Sequence, residues 1–146
     1  MDTEKKFGIL RVVFGFVWLV DALLKWMPPI RDHIVDILTQ AQAGQPALEY
    51  AWIQFWVSIA NIQPELFGIF IALVETLLAL SLITGIFSRA ALWSGILFSF
   101  LVWSVPQGFG GPYQPGVTDI DSGIIYMLLF IALIIGHAWR RVRIFE

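Results

Sequence analysis

Glu75 stands in the middle of an apolar run from Pro64 to Thr84 that offers it no neighbouring cation. If that run crosses a membrane, an ionised group there costs about 2.5–3.5 kcal/mol on insertion scales, so it faces protein and takes a partner or a proton. Gly68, Ala72 and Ala79 share its helical face, which favours close approach of a second helix and aims the carboxyl inward. Arg11 falls about 7 Å deeper by helix rise, within reach of a long side chain. Two readings follow: an interhelical Arg11–Glu75 tie, or a carboxyl that exchanges protons with a bound redox carrier.

A second group gathers at the opposite end of the first apolar run. Asp21 precedes Lys25 by one helical turn, the spacing of an intrahelical ion pair. Mutual neutralisation near the headgroups explains that pair as well as a functional role does. Gly8, Arg11, Gly15, Trp18, Ala22 and Lys25 recur at steps of three and four, so they form one stripe that should face other helices. The later segment QGFGGPYQPGVTDID is rich in Gly and Pro; such a loop lets backbone N–H groups approach a small anion, or serves simply as a turn-rich link. Arg31, Trp103, Tyr113 and Asp119 belong near the same rim as Lys25. Trp18 is either core or a flat wall for an aromatic ligand. His33 and His137 fall on opposite sides and cannot share one haem iron, and no metal-ligand spacing is present.

These groups need elements to hold them, and four runs are long enough to cross about 30 Å of hydrocarbon. They cover 7–27, 64–84, 88–105 and 122–139. Pro28-Pro29 stops the first, Pro64-Glu65 opens the second, Gly85 caps it, Ser88 is the expected N-cap of the third, and Pro106 closes that one. Between the first two runs, 30–43 repeats Ile30, Ile34, Ile37, Leu38 and Ala41 at helical spacing, an amphipathic helix on the membrane or over the bundle. Residues 46–62, with Trp52, Phe55 and Trp56, read as a lid or outer-leaflet helix. A fifth span there would put Arg89 and Arg140 to Arg143 on the outside, against the distribution of positive charge.

The chain has 146 residues, 58% of them hydrophobic and 14% charged, and a mean hydropathy of +0.78. That is more apolar than a soluble domain. A net charge of -2 leaves no basic field for nucleic acid. With no cysteine, disulfides, thiolate metal sites and a Cys nucleophile are excluded. Lys5, Lys6, Arg11, Arg89, Arg140, Arg141 and Arg143 gather on one side of a four-span arrangement, so both termini are expected in the cytoplasm. Arg11 and the length of the first run argue against a cleaved signal peptide.

Three strings, LRVVFGFVWLVDALLK, ETLLALSLITGIFSRAA and GFGGPYQPGVTDIDSGIIY, together make the chain resemble the DoxX/DoxD family of small four-helix membrane proteins, the last string being most like the DoxD type, the membrane subunit of thiosulfate:quinone oxidoreductase. The resemblance runs from Arg11 to His137 and matches Arg11, Lys25, Glu75 and Arg89. It implies oxidation of thiosulfate at the outer surface with electrons passed to a membrane quinone. The fold expected is all-α: one integral membrane domain over 1–146, a four-transmembrane-helix antiparallel bundle with one or two extra helices at the outer face, in the plasma (inner) membrane. Glu75 and Arg11 are then the catalytic candidates, Lys25, Asp21, Arg31, Tyr113 and Asp119 the anion-binding ones, and Trp18, Trp103 and Tyr126 the quinone-binding ones. Quinone is the expected acceptor, with no metal, haem or flavin. Partners are the bilayer and a second subunit or a homo-oligomer. Two other functions fit the same residues: a non-catalytic scaffold or assembly component of a redox complex, and a small-anion transporter.

Overall fold

In the computed structural model the described residues are 2–140 and 142. They form seven α-helices and no strand: α1 (Thr3–Trp26), α2 (Pro28–Arg31), α3 (Ile34–Gln42), α4 (Ala47–Ala60), α5 (Pro64–Thr84), α6 (Ser88–Ser104) and α7 (Ser122–Ile135), with a 3-10 turn at Gly108–Gly110. Arg141 and Arg143, two of the cations used to orient the chain, lie outside the described residues. Two helices, α1 with 24 residues and α5 with 21, are long and apolar enough to span a membrane.

The ends follow from local chemistry. Asp2 accepts from the Lys5 N–H at 2.7 Å to start α1, and Met27 turns extended ahead of Pro28 to stop it. Pro64 opens α5, and Gly85 closes it at φ 84°, its N–H donating to the Ser81 carbonyl. Ser88 is not the N-cap of α6 as expected. That place is taken by Phe87 at φ 52°, and Ser88 is the first helical residue, with no side-chain capping bond.

The fourth apolar run also ends sooner than expected, at Ile135 rather than 139. His137 takes the left-handed conformation at φ 50°. Its N–H donates to the Ile134 carbonyl and that of Ala138 to the Leu133 carbonyl, the paired bonds of a Schellman turn. Apolar composition alone continues past this turn, which is why the sequence overestimates the helix. Residues 46–62 form a 14-residue helix, α4, about 21 Å long.

α1 and α5 run antiparallel and close together. A Cβ on Gly15 would lie 2.8 Å from Ile83 Cγ1 and 2.9 Å from Leu82 Cβ, so only a bare backbone fits there. α6 and α7 make the second antiparallel pair, where a Cβ on Gly95 would lie 2.3 Å from the Phe130 ring. The main core is shared by both pairs: Phe14 and Trp18 from α1, Leu78 and Leu82 from α5, Leu92 and Phe98 from α6, Phe130 and Leu133 from α7. The expected α1 stripe is buried at Gly8, Arg11, Gly15, Trp18 and Ala22, and the α5 face at Gly68, Ala72, Glu75 and Ala79.

A smaller core of Leu38, Ile53, Val57, Ala60 and Val105 lies under the α3–α4 hairpin. The hairpin packs over the end of the bundle through this core. Trp52 Nε1 donates to Ser104 Oγ at 3.0 Å, and Gln45 Nε2 reaches the carbonyls of Gly108 and Gly111 at 2.9 and 3.3 Å. α3 buries Ile34, Leu38 and Gln42. Outward, Val13, Phe16, Val20, Leu23, Phe70, Leu77, Trp93, Leu97, Leu128 and Ile135 are each more than half exposed.

Candidate functional site

The α1–α5 seam carries a polar centre at each end. At one end Lys25 Nζ lies 3.3 Å from Asp21 Oδ1 and 3.5 Å from Glu75 Oε2. Exposure falls along this trio from 36% at Asp21 through 25% at Lys25 to 1% at Glu75. Neither Glu75 oxygen has a hydrogen-bond partner. Trp26 Nε1 donates to Thr76 Oγ1 at 3.0 Å, fixing the end of α1 against the middle of α5 beside the trio.

At the other end Arg11 is fully buried. Its Nε donates to the Leu82 carbonyl and Nη1 to the Ala138 carbonyl, both at 2.9 Å, and Nη2 reaches the Val142 carbonyl. Leu82 lies in the last turn of α5 and Ala138 in the turn after α7. Helix C-termini leave carbonyls without intrahelical donors and carry partial negative charge. A planar guanidinium answers both needs at once.

The Arg11–Glu75 tie is therefore not formed. Leu82, not Glu75, meets Arg11 on α5, two turns or about 10 Å further along. Lys25 takes the carboxylate instead, because helix packing brings the α1 terminus, rather than its beginning, level with Glu75. Arg11 is a capping cation among helix ends.

A groove of about 300 Å³ opens on the α1–α7 face beside the trio, lined by Val17, Val20, Asp21, Leu24 and Tyr126. Tyr126 is close enough to Asp21 and Lys25 to feel both charges. Of the three aromatics expected to wall a flat ligand, only Tyr126 lines this groove. Trp18 is 1% exposed, with Phe14, Phe98, Tyr126 and Phe130 rings 5.7–6.2 Å from its own. It is core, because these four rings, from α1, α6 and α7, close over it. Trp103 also stands away from the groove: its Nε1 donates to the Ile120 carbonyl at 2.8 Å and Phe109 packs on its edge at 5.2 Å. It ties the outer loop to α6.

The remaining candidates are not brought to Lys25. Arg31 Nε donates to Asp32 Oδ1 at 2.8 Å, and its carbonyl lies against Gly68. The hydrogen bond and charge of Asp32 hold the guanidinium above its ordinary value. Tyr113 donates to the Phe109 carbonyl at 2.6 Å, and Asp119 Oδ1 accepts from the Ile120 N–H at 2.7 Å. Both bonds shape the loop itself. Among the described residues neither Tyr113 nor Asp119 makes an ion pair or hydrogen bond with Lys25 or Arg31. The rim cations Lys25 and Arg31 are each matched by carboxylate. Arg89 stacks its guanidinium 5.7 Å from the Trp139 ring centre, and Arg140 pairs with Glu4 at 2.9 Å. No group of three or more His, Asp or Glu that could hold a metal occurs among the described residues.

One buried polar group escapes a reading of composition. Ser99 is wholly buried on α6 and its hydroxyl has no partner. A serine in an apolar helix is ordinary, and only its placement on the buried face with Gly95 and Phe98 could have drawn attention to it. No protein-family model matches the chain, and no curated protein or solved structure is significantly similar to it.

Proposed function

We propose that the chain is the membrane subunit of an oxidoreductase that passes electrons from a small sulfur anion, thiosulfate by resemblance, to a membrane quinone. The observation that carries this reading is Glu75: a carboxyl 1% exposed, without a hydrogen bond on either oxygen, 3.5 Å from Lys25, which also pairs with Asp21 in the wall of a groove open on the bundle face. A buried carboxylate with one long ion pair is poorly satisfied. Reduction of a quinone to a quinol consumes two protons and two electrons, the electrons that two thiosulfates release on joining as tetrathionate. Glu75 supplies protons, Tyr126 and the aliphatic groove walls hold the ring, and Asp21 with Lys25 keeps the carboxyl oriented.

In this reading α1, α5, α6 and α7 cross the membrane as an antiparallel bundle with both termini cytoplasmic, and the α3–α4 hairpin covers the outer end. The outward apolar side chains of all four helices support it, since large exposed apolar surface marks contact with a membrane or a partner. α6 and α7, about 26 and 21 Å long, reach the headgroups with their end turns. The test is to purify the protein, add thiosulfate and a soluble quinone analogue, and assay tetrathionate and quinol together. Absence of both products from the protein with all its copurifying partners rejects the redox reading.

The pairing of Lys25 and Arg31 with carboxylates favours a second reading, a non-catalytic assembly component of a redox complex. It predicts copurifying subunits and no thiosulfate-dependent turnover in the isolated chain.

A further inference from the structure

We propose that Asp21, Lys25 and Glu75 form a proton relay, through which the buried carboxyl exchanges with water at the rim of the α1–α7 groove. It deepens the redox reading by naming the proton's route, and rests on that reading only for the use made of the proton.

The geometry is a graded series. Asp21 lines the groove and is the most exposed of the three, Lys25 lies between the carboxylates at 3.3 and 3.5 Å, and Glu75 is sealed. The Lys25 ammonium gives a proton to Glu75, the lone pair left on Nζ takes one from the Asp21 carboxyl, and Asp21 is recharged by water at the rim. Each transfer breaks one bond to hydrogen and forms another, and no electron moves. Beyond Glu75, toward the Arg11 end, the seam is closed by Leu78, Ala79, Leu82, Phe14 and Trp18, none more than 5% exposed. The one polar group among these side chains is the buried Trp18 indole N–H, which is a donor only and cannot take up a proton in passing. Other polar groups on the elements packed here, among the described residues, are the Trp26–Thr76 pair, Tyr126 on α7, which feels Asp21 and Lys25, and on α6 the unpartnered Ser99 hydroxyl. Ser99 lies at about the same depth, because α5 and α6 run antiparallel from the tight turn at 85–87.

The experiment is a rapid pH jump on the full chain in lipid nanodiscs, followed by infrared absorption of the Glu75 carboxyl and assigned by its loss in Glu75→Gln. The band should follow the jump in the native protein. Asp21→Asn and Lys25→Met should each slow it by at least about tenfold, while Asp21→Glu, which keeps an ionisable group at the rim, should retain the native rate. An unchanged rate in Asp21→Asn, or a Glu75 band that never responds to pH, overturns the relay. No quinone or sulfur anion is present in this measurement. Rapid exchange that depends on Asp21 in a protein without turnover therefore rejects the redox reading alone, and turnover with exchange independent of Asp21 rejects the relay alone.

Discussion

Glu75 and Arg11 are both buried charges on one helix seam, yet they answer different needs. Glu75→Gln keeps the side-chain volume and removes the titrating group, so the protein should still reach the membrane while quinol formation falls to background; turnover at the native rate would dismiss its proton role. Arg11→Met should instead act on stability. It leaves buried carbonyls at Leu82 and Ala138 without their charged donor, and an unsatisfied buried acceptor costs about 1–3 kcal/mol. Thermal unfolding in detergent should shift down clearly, and Arg11→Lys should recover only part, since an ammonium cannot span the same carbonyls as a planar fork. That both residues face the bundle was legible from helical spacing. Their partners were not, because a seam of two antiparallel helices can slide by a turn without altering either stripe, and the register is fixed by contacts such as the close approach at Gly15.

At the scale of elements, glycine sets how closely each pair meets. Gly95→Ala should cost about 1–3 kcal/mol through overpacking, because the added methyl falls within the Phe130 ring. Phe130→Ala opens that space, so the double variant should be less destabilised than the sum of the singles; strict additivity in a double-mutant cycle would contradict the contact. The extents of α5 and α6 and the end of α1 could be read from Pro, Gly and apolar runs, whereas α1 starts at Thr3 rather than 7 because Asp2 caps it through polar residues outside the apolar run. The stop of α7 could not, since the turn at His137 is made by backbone bonds from a residue type that does not announce a left-handed turn. Trp103 shows the same limit in a side chain. An aromatic at a helix end reads equally well as ligand wall or anchor, and its bond to the Ile120 carbonyl decides for the loop.

For the whole molecule, the all-helical architecture of the described residues was evident from composition and periodicity, whereas which rim residues stand together was not legible, because residues near in depth need not be near around the bundle. The proposed topology has a direct test, since the chain has no cysteine and any introduced thiol is unique. Gln114→Cys should react with a membrane-impermeant thiol reagent on intact cells, and Lys6→Cys only after the membrane is opened. The reverse pattern would invert the arrangement.

The α1–α5 pair is fastened at Lys25–Glu75, Trp26–Thr76 and Arg11–Leu82, while α1 and α7 meet most slightly of the neighbouring bundle helices, and there the groove lies. In the proposed topology that seam opens sideways onto acyl chains, below the rim where Asp21 meets water. A molecule entering by it diffuses in two dimensions and is counted per lipid rather than per litre. Half-saturating amounts of a series of quinone analogues, expressed as mole fraction in the membrane, should then converge where their bulk concentrations spread with oil–water partitioning.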